Sequence, residues 1–197
     1  EGVRQCIKIL LRYEADVTSE DGVTTLMLCS KYGFSDDAEK LAPTQAGIQS
    51  KEGVTALMMA AKANNLTAIK LLSQKELKMQ DKMGRTALMY ACEEGNYDAF
   101  MELVRDEYDI RDIADKHALH YAVRKDAVQI VEAVVDTFLE VVDNAGTTTL
   151  MEAAKYNAIQ CIPFLDKERD MVDNEGKTPL IYAAIGNAPG ACEQLSK

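Results

Sequence analysis

Apolar positions fall along the chain in two alternating registers. In the first, Leu26, Leu57, Leu88, Leu119, Leu150 and Leu180 are each followed three places later by a small side chain, at Cys29, Ala60, Ala91, Ala122, Ala153 and Ala183. Residues three apart share a helix face, and a small residue there lets a second helix approach closely. The second register reads Ile69, Leu71 and Leu72; Phe100, Leu103 and Val104; Ile130, Val131, Val134 and Val135; Ile162, Phe164 and Leu165. This i, i+3, i+4 spacing predicts a second helix buried along one stripe. Between the two registers stand Gly33, Asn64, Gly95, Asp126, Asn157 and Asn187, with Gly2 in the same place of an incomplete first unit. These residue types tolerate positive φ, as a sharp reversal between antiparallel helices requires.

The two registers repeat as one unit. From Gly22 the anchor glycines Gly53, Gly84, Gly146 and Gly176 follow at intervals of 31, 31, 62 and 30 residues, and "DKHALHYAV", with Asp115 in the glycine place, fills the doubled interval. Asp81, Asp112, Asp143 and Asp173 stand three places before an anchor, where a side-chain-bonded tight loop is expected. The segment "GRTALMYACEEGN", with its threonine, cysteine and glutamates, suggests chemistry when read alone. Its recurrence assigns it to architecture instead, since each unit of turn, helix, reversal, helix and loop buries its apolar face only by stacking. One domain over residues 1–197 is expected, with a truncated repeat at 1–18, repeats starting near 19, 50, 81, 112, 143 and 173, and the last one truncated.

The unit Asp-x-x-Gly-x-Thr-Ala/Pro-Leu-x-x-Ala-Ala-x-x-Gly/Asn resembles the ankyrin repeat, with Thr178-Pro179-Leu180 and Leu119-His120 preserving parts of that family's Thr-Pro-Leu-His signature. The resemblance spans essentially the whole chain. It implies an all-α solenoid of stacked helix-turn-helix units with short finger connections. The repeat is two residues or so shorter than the family's norm, as in ankyrin arrays expanded in some protists, which stand alone or are joined to protein kinase domains. Three prolines bear on the helices. Pro163 should bend or delay its second helix, Pro43 should end its helix early, and Pro189 fits a first turn.

Composition narrows the function. No window of about 18 apolar residues exists that could span a bilayer, and the opening "EGVRQ" has no leader-like character, which suggests a fragment. With 22 basic and 32 acidic residues the net charge is −10, which argues against nucleic-acid binding. Cys6, Cys29, Cys92, Cys161 and Cys192 form no CxxC pair and are odd in number, so a reducing, cytoplasmic setting is expected, with the cysteines as buried packing groups. His117 and His120 have HxxH spacing near Asp115 but lack further ligands, so no metal and no cofactor are expected. Glu93 and Glu94 read as exposed helix residues rather than an acid/base pair, and Met27, Met58, Met89 and Met151 as a repeated core contact. Reversal chemistry alone makes Gly95→Val costly and Asn64→Gly neutral or stabilising.

No catalytic residue is assigned, and a non-enzymatic interaction scaffold is expected. The alternative is a regulatory or substrate-recruiting segment of a larger enzyme such as a kinase. The resemblance implies a monomer that holds a protein or peptide on a concave side, through the two residues before each anchor, the one after it, and the ninth and tenth after it. Those places carry Lys31, Lys51, Lys62, Lys82, Arg85, Lys116, Arg124, Lys125, Lys155 and Lys177 against Glu20, Asp21, Glu52, Glu93, Glu94 and Glu175. They sum to +4 on a remainder of −14, which points to an acidic partner, with Tyr32, Met83 and Tyr156 as apolar anchors beside the cations.

Overall fold

The threonine that follows each anchor glycine by two places is what starts a first helix. In a computed structural model, which describes residues 2–13 and 17–197, Thr24 Oγ1 accepts a hydrogen bond from Met27 N–H at 3.2 Å at the head of helix α2 (Thr25–Tyr32). Thr55 and Thr148 cap α4 (Ala56–Lys62) and α10 (Thr149–Lys155) on Met58 N–H and Met151 N–H, both at 3.3 Å. Each methionine sulfur reaches back to the threonine N–H at 3.4–3.5 Å, closing a capping box in which thioether replaces carboxylate. The methionines are also buried, as expected of the run, so one residue type serves both the cap and the core.

The described residues fall into two compact units, residues 2–91 with 98–108, and residues 92–97 with 109–197. In the first, α2 packs on α1 (Gly2–Tyr13), on α3 (Ser35–Gln45) and on α4, and α5 (Leu66–Glu76) packs on α3 and α4. In the second, α8 (Ala118–Ala122) runs through a 3-10 turn at Val123–Lys125 and packs on α9 (Val128–Phe138), and α10 packs on α11 (Pro179–Ile185) and α12 (Pro189–Leu195). Helices α6 (Ala87–Glu94) and α7 (Tyr97–Glu107) have residues in both units. No strand is present among the described residues, and the fold is an all-α repeat. Of the truncated repeat at 1–18, Glu1 and residues 14–16 lie outside the described residues, and Gly2 is the first residue of α1 rather than the reversal expected there.

Left-handed backbone falls where the reversals were expected. Gly33, Asn64, Gly95, Asp126, Asn157 and Asn187 have φ between 51° and 77°, and Asp115 at φ 63° takes the left-handed role of its anchor-glycine counterparts. At Gly53 more than φ is at stake, since a Cβ there would lie 2.9 Å from backbone atoms of Asp81 and Lys82 in the next finger. The asparagines do a second job that residue type did not reveal. Asn64 Oδ1 accepts from Ala99 N–H of the next repeat at 3.0 Å, Asn157 does the same for Ala191 at 2.9 Å, and Asp126 accepts from Gln160 and Cys161. Asn64→Gly therefore removes a cap on α7 and is expected to lower stability by about 1 kcal/mol, not to be neutral. A urea midpoint unchanged by Asn64→Gly would contradict the cap.

A third left-handed site, at Gly47, Lys78 and Glu140, lies just beyond the second helices and has no signature in residue type. Its backbone N–H meets a buried carboxylate from the following repeat: Gly47 to Glu76 at 2.9 Å, Lys78 to Glu107 at 2.9 Å, Glu140 to Glu168 at 3.0 Å. The other oxygen of each carboxylate accepts from the first helix of its own repeat, at Leu57, Leu88 and Leu150. Gln45 makes the own-repeat bond, to Leu26, at 2.9 Å. Burial pushes the Glu107 and Glu168 carboxyls above the ordinary range, against the pull of the N–H donors.

Several expectations need correction. Pro43 does not end its helix, because α3 continues to Gln45 with only one bond donor lost so near its end. Pro163 acts as expected: a 3-10 segment, Ile162–Glu168, replaces the second helix, and the changed period leaves Phe164 37% exposed. Pro189 opens α12. Leu180 is 43% exposed where its five counterparts are at most 1% exposed, since no following repeat covers it within the chain. Cys29, Cys92 and Cys161 are buried, but Cys6 is exposed and Cys192 only half-buried.

Candidate functional site

The fingers and the ends of the first helices carry the variable residues, and one aspartate per repeat holds each finger. Asp81 Oδ1 accepts from Met83 and Arg85 N–H at 2.8 Å, and Asp112, Asp143 and Asp173 repeat the arrangement two and four residues on. The second oxygen takes a tyrosine hydroxyl from the first helix: Tyr90 on Asp81 at 2.9 Å, Tyr121 on Asp112 at 2.6 Å, Tyr182 on Asp173 at 2.7 Å. Side chains flanking the anchors are thereby presented from a fixed backbone.

In the first unit Lys31, Tyr32, Lys51, Lys62, Lys82 and Met83 are exposed. The Lys31 ammonium lies 5.2 Å from the Tyr32 ring centre and that of Lys62 lies 5.8 Å from Tyr90. Arg85 differs: its Nε is 2.9 Å from the buried Asp81 and its Nη2 donates to the Tyr90 hydroxyl, so its charge is spent in the finger. Lys82 is 3.9 Å from Glu52, an exposed pair of little energetic weight.

The second unit holds its cations more tightly. Glu152, 4% exposed, stands where Tyr90, Tyr121 and Tyr182 stand in other repeats, and it ties down Lys116 and Arg124. Lys116 also reaches Asp143 at 3.6 Å, whose oxygen no tyrosine claims. The Arg124 guanidinium lies 4.0 Å from Glu93 and over the rings of Tyr121 and Tyr156, at 4.7 Å and 5.4 Å. Lys125 pairs with Glu94 at 3.7 Å, and Lys177 with Glu175. Glu93 and Glu94 are thus half-buried ion-pair partners rather than the exposed residues that register suggested. Lys155 and Tyr156 remain exposed, the ammonium 5.7 Å from the ring centre. Glu152 was missed by sequence reasoning, although a carboxylate breaking a column of tyrosines was a readable signal.

The histidines belong to the core. His117 caps α8, its Nδ1 accepting from Leu119 N–H at 3.3 Å, and its ring stacks on Phe138 at 4.6 Å. His120 Nε2 lies 3.2 Å from the Thr147 carbonyl, which fixes that nitrogen as the protonated one. Burial depresses both, His117 to about 2. Burial likewise pushes the Cys29 thiol up to about 11 and raises those of Cys92 and Cys161, which leaves them poor nucleophiles. Among the described residues no group of three or more His, Cys, Asp or Glu side chains is placed to hold a metal ion.

A family model described as ankyrin repeats matches the chain in three copies, over residues 26–114, 76–144 and 119–197. The chain belongs to the ankyrin-repeat family. No curated protein matches it in a search of whole sequences. Ankyrin repeats are general protein–protein interaction modules. No helix among the described residues is long and apolar enough to cross a membrane.

Proposed function

We propose that the chain is a non-enzymatic scaffold that holds an acidic peptide or protein segment against the fingers and first-helix ends, the side the family resemblance makes concave. The observation that carries this reading is the recurring exposed Lys–Tyr pair, Lys31 with Tyr32 in the first unit and Lys155 with Tyr156 in the second, each cation set over its ring. Such a pair offers a carboxylate a charge and a rigid apolar wall together. The first unit is the better candidate, with both Lys31 and Lys51 among its exposed cations, whereas Lys116, Arg124 and Lys177 of the second unit are committed to its own carboxylates. A reducing, cytoplasmic setting fits the five free cysteines.

Charge reversal tests this reading. Lys31→Glu with Lys62→Glu should weaken retention of the partner recovered from native lysate by at least about tenfold and flatten its salt dependence. Lys70→Glu with Lys75→Glu, on a second helix, should leave retention unchanged. Arg124→Glu is a poor probe, since it would strand a second carboxylate beside Glu152. Equal loss from both double variants, or none from either, would remove the proposal.

A further inference from the structure

In each unit a cation in the ninth place after one anchor lies against the residue in the sixth place after the next. In the first unit the Lys62 ammonium stands 5.8 Å from the Tyr90 ring centre, and register sets Lys31 against Met59. In the second unit the same relation joins Arg124 to Glu152, with Nε 3.7 Å from Oε2. The sixth place reads Leu28, Met59, Tyr90, Tyr121, Glu152 and Tyr182, so a single repeat carries an acid there. A ring or a thioether leaves a neighbouring cation its charge, whereas a carboxylate cancels it.

Glu152 engages two cations. Lys116 Nζ pairs with its Oε1, and the side chains of Lys116 and Arg124 are left only 16% and 25% exposed. The fold gains little from this. A tyrosine in the sixth place bonds the finger aspartate of its own repeat at Asp81, Asp112 and Asp173, and Glu152 gives Asp143 no such bond. Glu152 Oε2 and Arg124 Nε are also buried without a hydrogen bond, so on that side of the carboxylate only Coulomb attraction offsets the desolvation.

We infer, on the reading of the partner as acidic, that Glu152 is a specificity-determining residue. It seats an internal carboxylate on Lys116 and Arg124, and so denies the second unit to the acidic segment that the first unit holds. Lys116 and Arg124, with the rings of Tyr121 and Tyr156 against the guanidinium, form a carboxylate site whose occupant belongs to the chain itself.

Fluorescence anisotropy with a labelled octaglutamate peptide at low salt tests this on the full chain. The background is Lys31→Glu with Lys62→Glu, which disables the proposed first-unit site. In that background Glu152→Tyr should tighten binding of the probe by at least about tenfold, and adding Lys116→Gln with Arg124→Gln should abolish the gain. Glu132→Gln, which removes the same charge from an exposed place on α9, should gain nothing. Glu152→Gln, closer in shape, should gain in the same direction and carries the test if the tyrosine variant does not fold. A folded Glu152 variant without a gain overturns the inference, as does a gain that Glu132→Gln matches or that survives the loss of both cations. Binding of the probe with and without the Lys31 and Lys62 changes, at an unaltered Glu152, reads the proposed function separately. Indifference to those two changes defeats that function, while a gain at Glu152 that needs Lys116 and Arg124 still upholds the internal-carboxylate site.

Discussion

Acidification from pH 7 to pH 5 is expected to cost the protein about 2 kcal/mol of stability through His117, with a further loss in the same direction through His120, and His117→Thr with His120→Met is expected to abolish that loss. Both rings are buried and neutral, His117 depressed from 6.5 to about 2 by burial, by His120 and by Arg111. His120 is depressed chiefly by burial, against the Thr147 carbonyl, Glu152 and Asp143, with Lys116 adding to the depression. A folded value below the unfolded one means that the unfolded chain takes up the proton first. The stability each neutral ring contributes is complete above about pH 6.5 and falls away as the pH drops toward the folded value, by about 1.4 kcal/mol per unit. Glu107 and Glu168 act in the opposite sense. Their raised carboxyls contribute stability that is complete below the unfolded value and lost as pH rises through the folded one, so they gain as the histidines lose. The replacements are those found at the same places in other repeats, Thr at 24, 55, 86 and 148 and Met at 27, 58, 89 and 151, so the helix cap is kept. The readout is the difference between urea midpoints at the two pH values, wild type against double variant. An equal pH dependence in both would contradict the buried neutral pair.

Glu107→Leu should cost roughly 2–4 kcal/mol, because it strands two inward backbone donors, at Leu88 and Lys78, while leaving the apolar contacts of α7 in place. Glu107→Gln should cost only about 1 kcal/mol, since one amide oxygen serves the Leu88 N–H as Gln45 serves Leu26. The glutamine variant should also lose part of the pH dependence described above, in the carboxyl's direction. Urea denaturation of the two variants separates these costs. Similar midpoints would mean that the carboxylate is a bystander.

How legible was this in the letters? Turns and reversals were, because left-handed backbone is restricted to a few residue types, and even Asp115 in a glycine place followed from the period. The bridging glutamates were not. A glutamate near the end of a helix reads as a solvated residue, and only the aligned column Gln45, Glu76, Glu107, Phe138 and Glu168 exposes both the device and its one gap. The proline forecasts divided for a physical reason. Pro163 falls inside the stretch that its counterpart α7 forms as a helix, whereas Pro43 stands two residues from the end of α3, so the missing donor and the ring clash disrupt a helix interior in one place and only a last turn in the other. For the candidate surface, register puts the cations on fingers and helix ends. Register cannot tell an exposed cation from one held by a buried acid, and Glu152 draws Lys116 and Arg124 away from solvent.

The central claim, that a partner lies against the fingers and first-helix ends, is tested most directly by photo-crosslinking from single sites in native lysate. A crosslinking residue in place of Tyr32 or Lys62 should give the same partner adduct, and one in place of Lys70 or Met101 on the second helices should give none. Adducts from Lys70 and Met101 with none from Tyr32 and Lys62 would contradict the account.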